Sequence, residues 1–350
     1  MKPFKSLSFL CAILGLLVIL TGCPNSAHKE DPKGMAYFSF FDTVSYIYSY
    51  AGDSQEDFQA NCKGAADMLG EYHRLFDIYY EYSEVNNLRT VNLNAGGEPV
   101  KVDQKLIDFL LYAVELYEST DGEMNVMMGS VLKLWHDCRE EASASSANAR
   151  VPSKEALENA AQHTDISLLE IDKENLTVRI TDPEARIDVG ALGKGYATEK
   201  AAQYLENKGV NSYVLNIGGN IRIIGQKPDG NGWATGIKDP SDTSQYAFYL
   251  TLSDTSCVTS GDYERFFVCD GVKYHHIIDK DTLMPSAFFS SVSVITKNSA
   301  LADALSTALF SMSYEDGLAL VNKLGDIEVL WITADGTQYY TSGLSDLMRK

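Results

Sequence analysis

Three short segments carry residue types able to do chemistry. The first reads Ile-Asp-Val-Gly-Ala-Leu-Gly-Lys-Gly-Tyr over residues 187–196. A short apolar strand ends at Asp188. Glycines at 190, 193 and 195 then open a helix whose apolar face runs through Ala197, Ala201, Tyr204 and Leu205 and stops near Gly209. Glycines at a helix start expose backbone N–H groups at the positive end of the helix dipole, which suits a phosphate, and Lys194 adds a mobile positive charge. The spacing matches neither the GxxxxGK[ST] loop nor the GxGxxG fingerprint, and three glycines taken alone favour a tight structural turn. In the second segment, Asp303 and Thr307 stand four apart on an expected helix over 300–312. Their carboxylate and hydroxyl then project from one face. They are hard oxygen ligands suited to Mg²⁺, which takes few carboxylates and completes its shell with phosphate and water; by spacing alone, a solvated helix face is the simpler account. The third segment is Tyr-His-His-Ile-Ile-Asp over residues 274–279. Adjacent histidines in a strand point to opposite faces, so only one of His275 and His276 serves any one site. Gly218-Gly219 reads as a close-approach turn, and Trp135-His136 as core packing.

Positioning these segments requires a folded scaffold, and the composition supplies one. Of 350 residues 45% are hydrophobic and 22% charged, which excludes a largely disordered chain. With 29 basic against 48 acidic residues the formal charge is −19, leaving no general electrostatic reason to bind nucleic acid or anionic headgroups. Twenty Tyr and 14 Phe favour strands over a helical bundle. Residues 37–50 read as strand or hairpin, and helices are expected over 57–78, 103–117 and 129–141. Strands dominate beyond residue 171: 176–180, 212–217, 246–252 and 290–296, with helices at 194–208 and 300–312 and a final hairpin, 327–332 and 337–340, around Ala334-Asp335-Gly336. This order is α+β and not a regular βαβ array.

The first residues read as an address. Lys2 and Lys5 precede an apolar run over 9–20, too short for a comfortable membrane span, and small residues follow. Leu20-Thr-Gly-Cys23 resembles a bacterial lipobox, which implies cleavage before Cys23 and lipid attachment there. The expected organisation is a lipoprotein signal peptide over 1–22, a lipidated Cys23 with a flexible tether to residue 36, and one domain over 37–350. Processing leaves 350 − 22 = 328 residues and, with two lysines removed, a formal charge of −19 − 2 = −21. Cys62, Cys138, Cys257 and Cys269 then remain; none forms a CxxC pair, so they read as buried fillers and not as a metal or redox site.

Taken together the segments resemble the ApbE family, the Mg²⁺-dependent FAD:protein FMN transferases. The matching stretches are Ser83-Glu84-Val85, residues 122–135, 188–196, Asn216-Ile-Gly-Gly-Asn220, Thr259-Ser-Gly-Asp-Tyr263, His276-Ile-Ile-Asp279 and Ala302-Asp-Ala-Leu-Ser-Thr307. The resemblance implies a two-lobed fold with mixed or antiparallel sheets flanked by helices and an active site between the lobes. It implies a nucleotide site of Phe41, Tyr79, Glu123, Met124, Asn125, Asp188, Lys194 and Ile278. Metal ligation would fall to Asp303, Thr307 and the carbonyl of Ala191, and catalysis to His276 and Asp188. Phe41-Asp42-Thr43 stands where the family often has Met-Gly-Thr. Asn125 replaces a frequent Asp, Ser306 an occasional second acid, and Lys280 and Leu283 the usual Pro and Gly. The activity implied is transfer of FMN from FAD to a Thr or Ser hydroxyl of an acceptor flavoprotein in an extracytoplasmic electron-transfer system, with release of AMP. The alternatives are an FAD pyrophosphatase and a non-catalytic FAD-binding lipoprotein. Membrane contact is expected through the lipid anchor alone.

Overall fold

The computed structural model of the chain describes residues 32–349. It opens with a hairpin of β1 (Lys33–Phe40) and β2 (Thr43–Ser49). Strand β1 takes up residues expected as the end of the tether; the signal segment, Cys23 and the earlier tether lie outside the described residues. Helix α1 (Gln55–Phe76) starts where Ser54 Oγ accepts the Asp57 N–H and stops at Asp77. There follow α2 (Leu88–Leu93), β3 (Val100–Lys101) and α3 (Gln104–Ser119), the last capped by Asp103. Next come α4 (Gly129–Ala144), α5 (Lys154–Ala161), β4 (Leu169–Asp172) and β5 (Thr177–Ile180). The glycine-opened helix is α6 (Gly193–Asn207). Six short strands then run in succession: β6 (Tyr213–Ile217), β7 (Asn220–Ile224), β8 (Trp233–Lys238), β9 (Tyr246–Leu252), β10 (Ser256–Gly261) and β11 (Phe266–Cys269). They are followed by β12 (Val272–His275), β13 (Ser291–Thr296), α7 (Ser299–Ala308), α8 (Tyr314–Leu324), β14 (Glu328–Ile332), β15 (Gln338–Tyr340) and α9 (Leu344–Leu347). No described helix is long and apolar enough to cross a membrane.

The fold is α+β, as expected. One eight-stranded sheet runs β1-β2-β6-β7-β10-β13-β14-β15, antiparallel at every pairing, with three smaller antiparallel sheets beside it. Its interior strand β13 is buried at all six positions. Helices α7 and α8 share one apolar cluster with β13 and β14, while Leu250 and Leu252 of β9 pack with Ile295 and Leu330 in another. The largest cluster joins α1, α3 and α6 to β2 and β6 through Leu69, Phe76, Phe109, Ala197, Ala201 and Leu215.

Two features set α6 against its neighbours. Arg222 of β7 is 1% exposed and lies 2.7 Å from Glu206, 3.4 Å from Glu199 and 3.6 Å from Asp254. Glu199 also accepts the Ser299 N–H at 2.9 Å, which ties the start of α7 to α6. Gly195 allows the second contact. A Cβ there would lie 2.3 Å from Asp303 Cβ and 2.5 Å from the Ser299 carbonyl oxygen, so the two helices meet where α6 has no side chain. Backbone cannot yield as a flexible side chain does, so Gly195→Ala is expected to destabilise the protein by about 1–3 kcal/mol. Thermal unfolding checks this; an unchanged midpoint would show that α6 and α7 do not approach so closely.

Candidate active site

The functional segments converge on one cleft of about 1120 Å³. Its walls are the Phe41–Thr43 turn, the loop after α1, the loop before α4, the start of α6, helix α7, strand β8 and the segments following β10 and β12. Phe41, Tyr79, Glu123, Met124, Asn125, Asp188, Ala191, Lys194, His276, Ile278, Asp303 and Thr307 all border it.

Asp188 is held through its neighbour. Buried Asn92 donates to the Ile187 carbonyl at 2.9 Å and accepts the Ile187 N–H at 2.8 Å, while the Asp188 N–H donates to the Val126 carbonyl at 2.8 Å. Burial raises the Asp188 pKa above the usual carboxylate range; the Gly190 N–H and the charges of His136, Arg265 and Arg139 oppose the rise. The three glycine N–H groups are not free for a phosphate. Gly190 donates to Asp188 Oδ1 at 2.8 Å, Gly193 to the Val189 carbonyl at 2.8 Å and Gly195 to Asp303 Oδ2 at 2.6 Å. The glycines thus serve the structural turn, and the phosphate reading of their amides is corrected. Lys194 borders the cleft but is already paired, its Nζ lying 3.2 Å from Asp303 Oδ1.

Asp303 is 5% exposed and has a partner at each oxygen. Thr307 lies one turn on, its Oγ1 3.4 Å from Ser260 Oγ, which contacts Ser306 Oγ at 2.8 Å. Among the described residues no group of three or more His, Cys, Asp or Glu is placed to hold a metal. The donor set that the resemblance implies, the Asp303 carboxylate, the Thr307 hydroxyl and the Ala191 carbonyl, comes from residues that all border the cleft. That set is hard and sparse, which suits Mg²⁺ completing its shell from phosphate and water and does not suit a softer cation.

The two histidines do not divide between opposite strand faces as expected: β12 ends at His275, His276 lies beyond it, and both border the cleft. His275 ends β12 buried, with Nε2 2.9 Å from the Ser286 carbonyl and Nδ1 accepting the Ile277 N–H. His276 sits half-buried on the cleft wall with Nδ1 3.2 Å from the Arg265 carbonyl. A carbonyl only accepts, so Nδ1 carries the hydrogen and Nε2 keeps its lone pair. Burial, then Arg265, His275 and Arg139, push the His276 pKa down to about 3.

Other walls show what the sequence concealed. Trp135 is core, as expected, but His136 lines the cleft. Its ring lies 5.1 Å from that of Tyr79, and its Nδ1 is 3.4 Å from the Tyr79 hydroxyl and 2.9 Å from Arg139 Nη2. Only the spacing of His136 and Arg139, about one helical turn apart, hinted at this; Arg265 carried no signal. The Asn125 amide donates to the Thr164 carbonyl and its oxygen accepts the Met127 N–H, both at 2.8 Å, so its side chain builds the loop. Burial raises the Glu123 pKa, and Lys280 opposes this from 3.3 Å. Leu283 has φ of 61°, a left-handed backbone in which glycine is unstrained, so the loop keeps the shape that glycine would give. Phe41 and Asp42 form the hairpin turn with φ of 52° each, and the Phe41 N–H donates to His73 Nδ1 at 3.3 Å.

The fold is shared with solved flavin transferases. The structure superposes on the ApbE protein of Thermotoga maritima with TM-score 0.79 at 29% identity, covering 91% of this chain and 100% of that one. It superposes on the flavin transferase ApbE of Vibrio cholerae with TM-score 0.74 at 27% identity, covering 91% and 99%. Residues 42–331 match the sequence profile of the ApbE family, and the chain belongs to that family. It is 34% identical over 277 residues to the FAD:protein FMN transferase of Treponema pallidum, covering 75% of each chain. It is 30% identical over 336 residues to that of Vibrio cholerae, covering 94% and 95%.

The state of His276 has a measurable consequence. Its folded pKa lies below the unfolded value of 6.5, so between about pH 3 and pH 6.5 the unfolded chain binds the extra proton. The stability this group contributes is present above pH 6.5 and is lost as the pH falls towards 3. Unfolding free energies at pH 7 and pH 4 should therefore differ more for the wild type than for His276→Gln; equal differences would show an unperturbed imidazole.

Proposed function

We propose that this protein is a Mg²⁺-dependent FAD:protein FMN transferase that acts outside the cytoplasm and is lipid-anchored through Cys23. The reading rests above all on the meeting of α6 and α7: Asp303 accepts from Gly195 and pairs with Lys194 at the floor of the cleft that also holds Asp188 and His276. FAD would enter as substrate. The oxygen of an acceptor threonine or serine attacks the FMN phosphorus. A new P–O bond forms, the pyrophosphate P–O bond breaks, and AMP departs with the electron pair.

His276 Nε2 takes the proton from the attacking hydroxyl. Its low pKa belongs to a cleft without substrate; a polyanion nearby favours the imidazolium and raises the pKa towards a useful range. Asp188, with its raised pKa, is the second group able to hold that proton. Lys194, Arg139 and Arg265 border the same cleft and set positive charge against the pyrophosphate. Tyr79, tilted 30° against the His136 ring, offers an aromatic face to a planar ring. Asp303, Thr307 and the Ala191 carbonyl would hold Mg²⁺, which when bound neutralises phosphate charge and stabilises the leaving phosphate.

Mass spectrometry of an apo-acceptor after incubation with enzyme, FAD and Mg²⁺ tests this. An FMN adduct is expected that falls at least about 100-fold with Asp303→Ala, and that EDTA abolishes and Mg²⁺ restores. Equal AMP release with and without acceptor would favour the hydrolase instead, and FAD binding with no AMP formed would leave a carrier. For the anchor, Cys23→Ala is expected to move the protein from the membrane to the soluble fraction and to abolish incorporation of labelled palmitate. Unchanged membrane recovery would defeat that part of the proposal.

A further inference from the structure

Strand β8 has one free edge. It pairs with β9 alone, in a two-stranded sheet. The far side of β9 is occupied: the Arg349 N–H donates to the Tyr249 carbonyl at 2.8 Å, and Leu250 bridges Met348 in antiparallel sense. The backbone groups of Tyr249, and by alternation those of Thr251, therefore point away from β8. Their register partners are Gly236 and Ala234. In an antiparallel ladder these two must then turn their own N–H and C=O groups to the opposite edge. No strand or side chain among the described residues pairs with that edge.

The edge opens on the active-site cleft, because all six residues of β8 border it. It is also unprotected. Edge strands are ordinarily blunted by proline, charge or an early bulge; β8 has no proline, and its lysine and its register shift both come at the Lys238 end. The residues presenting the free groups are alanine and glycine, which place almost no side chain in front of them. At Gly236 a Cβ would lie 2.5 Å from the Tyr246 ring, so that ring covers the position where a side chain would stand. The indole N–H of Trp233, 8% exposed at the start of the same strand, has no hydrogen-bond partner.

We infer that the free edge of β8 is the docking rail for the protein substrate, whose hydroxyl-bearing segment adds to it in extended form as a third strand. The inference rests on the transferase reading, which requires a side-chain oxygen on another protein's backbone to reach a phosphorus inside this cleft. A strand on the β8 edge meets that need. Main-chain hydrogen bonds to Ala234 and Gly236 grip the segment with little regard to its sequence, and alternate side chains face the cleft interior.

Proline at 234 removes the outward N–H while leaving the β8–β9 hydrogen bonds in place, a substitution edge strands tolerate. With the full chain and an apo-flavoprotein whose holo form carries FMN on threonine, Ala234→Pro is expected to raise the acceptor KM roughly tenfold with FAD affinity unchanged. Hydrogen exchange at Ala234 and Gly236 in the wild type should slow when acceptor is added without FAD. An unchanged KM in a folded Ala234→Pro, or unchanged exchange, would overturn the docking site. So would protection of these amides in the isolated chain that grows with its concentration, since the occupant would then be a second copy. Slowed exchange without FMN transfer would uphold the docking site and defeat the transferase reading; transfer without slowed exchange would do the reverse.

Discussion

A buried carboxylate must be paired, and in this protein the pairing of Asp303 organises the site. At 5% exposure its charge cannot rely on water, and it finds a backbone N–H of α6 at one oxygen and an ammonium at the other. That bridge exists only because Gly195 lets the helices touch. Glu199 repeats the device one turn along, accepting from the Ser299 backbone while facing Arg222. The two acids hold α7 to α6, and through α6 to β7, so that groups from distant parts of the chain face one cleft.

Burial drives the two candidate proton carriers in opposite directions. The carboxylate of Asp188 is made harder to ionise and the imidazole of His276 harder to protonate. Desolvation disfavours charge of either sign, so each moves towards its neutral form. Arg139 and Arg265 act on both, favouring the Asp188 anion and opposing the His276 cation. A cleft so arranged answers to whatever charge enters it, because an anionic substrate changes the balance at His276 and Asp188 together.

Much of this was legible from the residues. Apolar periodicity located α1 and α3 to within a few residues because they bury one face, and α6 and α7, which are buried almost all round, were located by their apolar runs and flanking breakers. The shared helix face of Asp303 and Thr307 followed from their i, i+4 spacing alone, whereas the expected opposition of the histidines failed because β12 ends at His275. What escaped was set by contacts distant in sequence. Asn92 clamps Ile187 from 95 residues away, and no local pattern marks an asparagine for that task. The glycines at 190, 193 and 195 signalled exposed amides, yet Asp188, Val189 and Asp303 take one each. Strands β7, β8, β10 and β11 are short and lack a clean alternation that would separate them from loop. Leu283 keeps a left-handed backbone that its residue type disguises.

The pairing of Met348 and Arg349 along β9 bears on solubility as well as on the site. A two-stranded unit with one bare margin can recruit a single guest and is then closed. With both margins bare it would become a link joined head to tail, and growth would have no natural end. Those two residues therefore act as a stopper: their loss would turn a finite molecule into a monomer for open-ended polymerisation.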